Sequence, residues 1–161
     1  MSKEQQAKLI KETAQEMLDK MGFETKLIVS TSLSEDNNSR ENIILEIDSP
    51  DSKFIIGKQG ATLASLQHIL KLLVRSKTDE YINFSVDVNG YRRQQEDYIR
   101  DIAQDTAQEV ILNGRASTLE PMNSYDRRLV HLELEKNPKV KTESIGEEED
   151  RKVIISPANS D

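Results

Sequence analysis

Phe54-Ile55-Ile56-Gly57-Lys58-Gln59-Gly60-Ala61-Thr62-Leu63 sets two glycines three apart, between an apolar run and the first turn of an apolar-periodic segment. Without a Cβ at either glycine the main chain can turn sharply and come close to a ligand, and its N–H groups can face anionic oxygens. Lys58 adds a positive charge at the tip. Leu63, Leu66, Leu70 and Leu73 follow at i, i+3, i+7 and i+10, which predicts a helix opened by Gly60. The positive end of its dipole then faces the same turn. Together these features describe a cradle for a phosphate. An ordinary helix–helix turn has the same glycine spacing, so the surroundings must decide.

Charge is the first of those surroundings. From Ser52 to Thr78 the charged residues are Lys53, Lys58, Lys71, Arg75 and Lys77, with no Asp or Glu. The whole chain of 161 residues carries 29 acidic against 22 basic side chains, a net charge of −7. The window therefore departs from its own background, and it is local potential rather than net charge that attracts phosphate.

Other functional classes are restricted by composition. Hydrophobic residues make up 35% and charged residues 32%, as in a globular protein that buries a core. No apolar run approaches the ~18 residues of a membrane span, so no stable membrane insertion is expected. The N-terminus lacks the apolar core of a secretory signal. Cysteine is absent, which removes thiolate metal sites, disulfides and a Cys nucleophile, and makes the cytoplasm the expected location.

Before the Gly turn, Ile10, Ala14, Met17, Leu18 and Met21 form one stripe of a helix from about Lys3 to Met21, with Gly22 placed to cap it. Thr25, Leu27 and Val29 alternate with polar neighbours as in a strand, Ser32 to Arg40 reads as a mobile surface loop, and Asn42 to Asp48 is a second strand with Ile43, Leu45 and Ile47 on one face. After the leucine helix, Ile82 to Val88 alternates strictly and forms a third strand. The order helix, strand, strand, short helix, Gly turn, long helix, strand, with Ile56-Gly-Lys-Gln-Gly-Ala-Thr-Leu63 between the paired helices, resembles a KH domain of the bacterial, type II arrangement.

Only Asn89-Gly90 separates that strand from a helical run, Tyr91 to Leu112, striped by Ile99, Ile102, Ala103, Thr106, Ala107, Val110 and Ile111. Either Tyr91 or Tyr98 is expected to anchor the start of this run on the first module. Then come a short extended piece, Ala116 to Leu119, and a helix from about Tyr125 to Glu135 capped by Asn123 or Ser124. Strands at Val140 to Ile145 and Lys152 to Ser156 flank the acidic turn Gly146 to Asp150. In the helix, Arg127 and His131 stand one turn apart on one face and can share one phosphate. Pairing of Arg127 with a carboxylate on a solvated face, beside a half-buried histidine, is the plainer alternative. Leu119-Glu-Pro-Met-Asn-Ser-Tyr125-Asp-Arg127-Arg128-Leu-Val-His131 resembles the signature of the single-strand-binding domain named for its Arg-x-x-x-His motif.

The two motifs in this order, joined by Val86-Asp-Val-Asn-Gly-Tyr-Arg92, are similar to the Jag/KhpB family (also EloR, or SpoIIIJ-associated) of bacterial RNA-binding proteins. The resemblance implies an α+β protein: a type II KH domain over residues 1–88, then a small domain over 89–161 with two helices and a short three-stranded sheet. It implies a non-enzymatic binder of single-stranded RNA, a chaperone or post-transcriptional regulator linked to cell shape and cell-wall synthesis. It also implies a separate single-KH protein as partner, with a homodimer as another arrangement, and no cofactor or metal. Gly57, Lys58, Gln59, Gly60 and Lys53 are the expected RNA contacts of the first module, and Arg127, Arg128 and His131 those of the second. Many members begin with a further small N-terminal domain, whereas this chain starts at the first KH helix. The rival reading is a protein-interaction scaffold of the elongation machinery whose KH domain mainly dimerises.

Other groups offer less. His68 on the leucine helix is a lone histidine. Asp48, Asp51, Asp87 and Glu120 show no spacing that would gather them around a catalytic metal. Arg92, Arg93 and Arg100 are as well explained by pairing with Glu96 and its neighbours as by RNA. Acids at the turn, placed at Gly57 or Gly60 or at both Lys58 and Gln59, are expected to abolish binding without unfolding the domain.

Overall fold

The structure, a computed structural model, describes residues 1–33 and 41–158. The chain divides into two units, Met1–Arg92 and Arg93–Asp161. In the first, helix α1 (Lys3–Lys20) opens on a reciprocal capping box between Ser2 and Gln5. It leads to strand β1 (Lys26–Leu33), strand β2 (Glu41–Asp48), a single helical turn α2 (Ser52–Ile56), helix α3 (Ala61–Ser76) and strand β3 (Phe84–Val88). The loop expected over Ser32 to Arg40 gives Ser32 and Leu33 to β1, and the rest of it lies outside the described residues.

The sheet order is β1-β2-β3, with β1 and β2 antiparallel and β2 and β3 parallel. Its register sets Ile43 against Phe84, Leu45 against Val86 and Ile47 against Val88. All six side chains are buried, in one core with Ile10, Ala14 and Leu18 of α1 and Leu63, Leu66, Leu70 and Val74 of α3. Period-two alternation meets period-3.6 stripes here, as half-buried strands covered by helices require.

Two apolar positions fall elsewhere than the spacing suggests. The α3 stripe steps from Leu70 to Val74, leaving Leu73 at 37% exposure, and Met21, at the C-cap of α1, is half exposed. At about 100° per residue Leu73 and Val74 fall on opposite sides of the Leu63–Leu66–Leu70 line, and Val74 is the one that packs in the first core.

The end of β2 is fixed by side chains. Ser49, buried, donates its hydroxyl to the Glu24 carbonyl at 2.7 Å and accepts the Asp51 N–H at 3.1 Å. The Asn89 side chain grips the Ser49 backbone from both sides, accepting its N–H at 3.0 Å and donating to its carbonyl at 3.0 Å. Asn89 takes a left-handed φ of 50°, which Asn tolerates better than most residues. These bonds hold the point from which the chain enters α2 and the Gly turn.

In the second unit the long helix α4 (Tyr91–Asn113), whose first two residues belong to the first unit, is stopped at Gly114 with φ 65°. Strand β4 (Ser117–Thr118), helix α5 (Ser124–Glu135), strand β5 (Val140–Ile145) and strand β6 (Lys152–Pro157) follow. The strands form an antiparallel sheet of order β4-β6-β5. Its core joins Ile99, Ala103, Ala107 and Val110 of α4 to Val130 and Leu134 of α5 and to Val140, Val153 and Ile155. Residues 147–151 close the β5–β6 hairpin through a 3-10 turn carrying Glu148, Glu149 and Asp150.

Candidate nucleic-acid interface

α2 ends because Gly57 adopts φ 71° and ψ −174°, a conformation reserved for glycine. Its N–H closes on the Lys53 carbonyl at 3.1 Å. Lys58 to Gly60 then make one 3-10 turn in which Gln59 (φ 52°) and Gly60 (φ 77°) are both left-handed. Gly60 hands the chain to α3 with no side-chain cap on that helix. The N-terminal N–H groups of a helix of 16 residues thus open toward the turn. Lys58 at the tip and Lys53 on α2 are exposed and make no ion pair with a described residue.

The turn is backed closely from behind. A Cβ on Gly57 would lie 2.0 Å from Thr62 Oγ1, and one on Gly60 would lie 3.0 Å from Tyr91 Cε1. Acids at Gly57 or Gly60 therefore do not leave the fold untouched, contrary to the sequence-based expectation. Both positions require left-handed backbone, and at Gly57 the space itself is taken. Lys58 and Gln59 both have exposed side chains, so acids there do not meet the packing behind the turn. Tyr91, within the first unit, packs against the first core, while Tyr98 is exposed.

Part of the basic window has other employment. Lys71 Nζ stands 5.9 Å from the centre of the Phe84 ring, a cation–π distance. Lys77 pairs with Glu16 at 3.2 Å, and Lys20 and Lys77 together hold the Glu16 carboxyl below its ordinary range. Arg92 donates to Gln67 Oε1 at 3.0 Å, the oxygen that also accepts the Val86 N–H at 2.9 Å. Arg100 lies within 4 Å of Glu96, Asp97 and Glu133, so the pairing alternative describes it. His68 is exposed, and no group of three potential metal ligands occurs among the described residues.

In the second unit, α5 starts at Asn123, whose Oδ1 accepts the Asp126 N–H at 2.9 Å. Asp126 is 3% exposed, its Oδ2 accepting from Gln95 at 3.1 Å and Asn123 at 3.2 Å. Burial pushes its carboxyl above the usual range, and the two amide donors offset part of that. Arg127 Nη1 donates to the Met122 carbonyl at 2.6 Å, tying the half-buried guanidinium to the segment before the helix. One turn on, His131 Nδ1 lies 2.7 Å from Thr142 Oγ1 on β5. Each side chain of the motif is thus oriented by a protein group, leaving Nε2 of His131 and the remaining guanidinium N–H groups for a ligand. Arg128 is exposed with no ion pair to a described residue. Thr62, Met122 and Thr142, which hold these sites in shape, carried no such signal in the sequence: each acts through a partner distant in the chain or through a backbone atom.

Residues 7–88 match the family model described as KhpA/KhpB, KH domain, and residues 97–157 match the model of the domain named for its Arg-x-x-x-His motif. The chain belongs to the KhpB (Jag) family. It is 33% identical over 147 residues to a protein of Clostridium symbiosum named RNA-binding protein KhpB, covering 91% of this chain and 66% of that one. A protein of the same name from Bacillus subtilis is 31% identical over 120 residues, or 73% of this chain and 58% of that one. One from Lactiplantibacillus plantarum is 33% identical over 112 residues, 70% of this chain and 35% of that one. The chain thus spans between about a third and two thirds of the length of these relatives.

Proposed function

We propose that this KhpB-family chain binds single-stranded RNA without catalysis, gripping backbone phosphates and leaving base edges free to pair or be restructured. The observation that carries this reading is the Gly57–Gly60 turn: left-handed at Gln59 and Gly60, backed by Thr62 and Tyr91, open at a helix N-terminus and edged by the exposed Lys53 and Lys58. Backbone N–H groups and lysines read charge and not sequence, so the expected binding is sequence-tolerant and weakened by salt. The second point of attachment is the α5 face, where Arg127 and His131 meet a phosphate and Arg128 adds charge beside them. We take the modules as residues 1–88 and 89–161, working in the cytoplasm as an RNA chaperone or regulator linked to cell shape and wall synthesis, the biology that the family resemblance implies. The names of the relatives, RNA-binding protein KhpB, support the first part of that statement.

The test replaces Lys58 and Gln59 together by Asp. Asp enters left-handed backbone readily, so position 59 accepts it. Affinity for a short oligouridylate should fall, and each phosphate that is no longer neutralised should flatten the dependence of log affinity on log salt by about 0.7. Unchanged affinity at two salt concentrations would remove the cradle from the reading.

A partner reading has its own observation. Ile69, Leu72 and Leu73 on α3 are 50%, 54% and 37% exposed, a run of large apolar side chains on the outer side of the helix. This face suits a separate single-KH protein or a second copy of the chain. Ile69→Lys with Leu72→Lys should abolish association and leave the fold intact. RNA binding that survives that change but not the Lys58–Gln59 replacement keeps the two functions apart; the reverse favours the scaffold.

A further inference from the structure

Of the three phenylalanines, Phe84 is buried and Phe23 packs against the first core, whereas Phe54 is 68% exposed. Its neighbour Ile55 is fully buried, so α2 is pinned to the core by one side chain while the ring of the residue before it stands in solvent. Three residues later the same turn of helix ends at Gly57, where the Gly57 N–H meets the Lys53 carbonyl. Phe54 therefore sits one helical turn from the start of the cradle, between exposed Lys53 and the exposed tip at Lys58. Isolated exposed apolar residues are common and carry nothing by themselves. Position distinguishes this one: it is the exposed aromatic of a stretch, Ser52 to Thr78, that holds five basic residues and no acid.

We propose that the Phe54 ring is a stacking platform for a nucleobase of the strand whose phosphate lies in the Gly57–Gly60 turn; this rests on the RNA-binding reading above. Each nucleotide offers an anion and a flat π-face. The turn and its lysines meet the first, and nothing in them meets the second. An exposed ring on the adjacent helical turn, beside the buried Ile55, supplies it at little entropic cost, since Phe has two side-chain torsions. Every base has a π-face, so the stacking adds affinity while remaining tolerant of sequence. Because the ring is uncharged, it contributes nothing to counterion release, and its share of binding persists at high salt. An acidic protein surface would suit the lysines equally but gives the ring no special partner, which is why a base is the occupant chosen.

The chain contains no tryptophan, so Phe54→Trp creates a single fluorescent reporter at the site. Titrated with a short oligouridylate, that tryptophan should be quenched as base and indole stack, and an abasic sugar-phosphate oligomer of the same length should leave it unquenched. In the full chain Phe54→Ala should weaken oligouridylate binding roughly five- to hundredfold, with the salt slope unchanged. The Lys58–Gln59 replacement should instead flatten that slope, and Phe54→Leu should recover only part of the affinity. Wild-type affinity in Phe54→Ala, or equal quenching by the abasic oligomer, overturns the platform while the RNA-binding reading stands. Failure of the wild-type chain to bind oligouridylate overturns both. If Phe54→Ala changes self-association on sedimentation and not RNA affinity, the ring belongs to a protein interface and the proposal is wrong.

Discussion

Asp126 shows how little freedom a single residue near the motif has. It is buried at the first turn of α5, where a negative charge suits the helix dipole, yet burial raises its pKa. The fold thus favours the charged form less than the unfolded chain does. A carboxyl whose folded pKa is raised contributes stability that is fully present below the unfolded value and is lost as pH rises through the folded one. Asp126→Asn keeps the acceptor for Gln95 and Asn123 and removes the titration. Its stability relative to wild type, measured by urea unfolding, should therefore be highest at neutral pH and decline as pH falls toward the ordinary carboxylate range. A difference that does not vary with pH would mean that the carboxyl titrates as it does in the unfolded chain. The one-turn spacing of Arg127 and His131 on α5 was legible in the sequence. Their orientation was not, because the Met122 carbonyl is backbone and Thr142 lies eleven residues away on another element.

At the scale of elements, the sequence read well wherever one period dominated. The alternation of Ile43, Leu45 and Ile47 and the striping of α4 both reappear in the buried sets. It read less well where apolar residues outnumber the buried positions. Ile69, Leu70, Leu72, Leu73 and Val74 crowd one stretch of α3, and only the sheet beneath decides that Leu70 and Val74 are inside. The Gly turn was legible as a turn and not as a packed one. Gly57→Ala should consequently destabilise the first unit by roughly 1–3 kcal/mol, from left-handed strain and the collision with Thr62. Gly57→Ala with Thr62→Ala should recover the part owed to Thr62 Oγ1. Thermal unfolding of both variants checks this, and equal destabilisation would assign the cost to backbone strain and to the Thr62 Cβ and backbone, which remain.

For the whole molecule, the two proposed sites on one chain raise the question of whether they hold one strand. A linked second site raises affinity through effective concentration, without any new type of interaction, only if both sites can engage together. For a long oligouridylate, replacing Lys58 and Gln59 by Asp, or Arg127 by Ala, should each cost far more than for a short one, and the combined variant should bind no better than the weaker single variant. Strictly additive effects on the long strand, equal to those on the short one, would mean that the sites act separately. The length dependence is measured by titrating oligomers of increasing length at fixed salt.

The grip of Asn89 on Ser49 bears on how the protein ages. Asn followed by Gly is the pair in which the next backbone nitrogen most easily attacks the side-chain amide, releasing ammonia and forming a cyclic imide that water then opens to aspartate or isoaspartate, because glycine offers no Cβ to obstruct the approach. Here the amide is engaged on both its oxygen and its nitrogen with the Ser49 backbone, so attack by Gly90 must wait until both bonds open. Once the conversion has happened, the donor to the Ser49 carbonyl is gone and a carboxylate faces that oxygen instead. The lesion would then loosen the support from which the chain enters α2, and the clock for it is set by the opening of the end of β2 rather than by the intrinsic rate of the dipeptide.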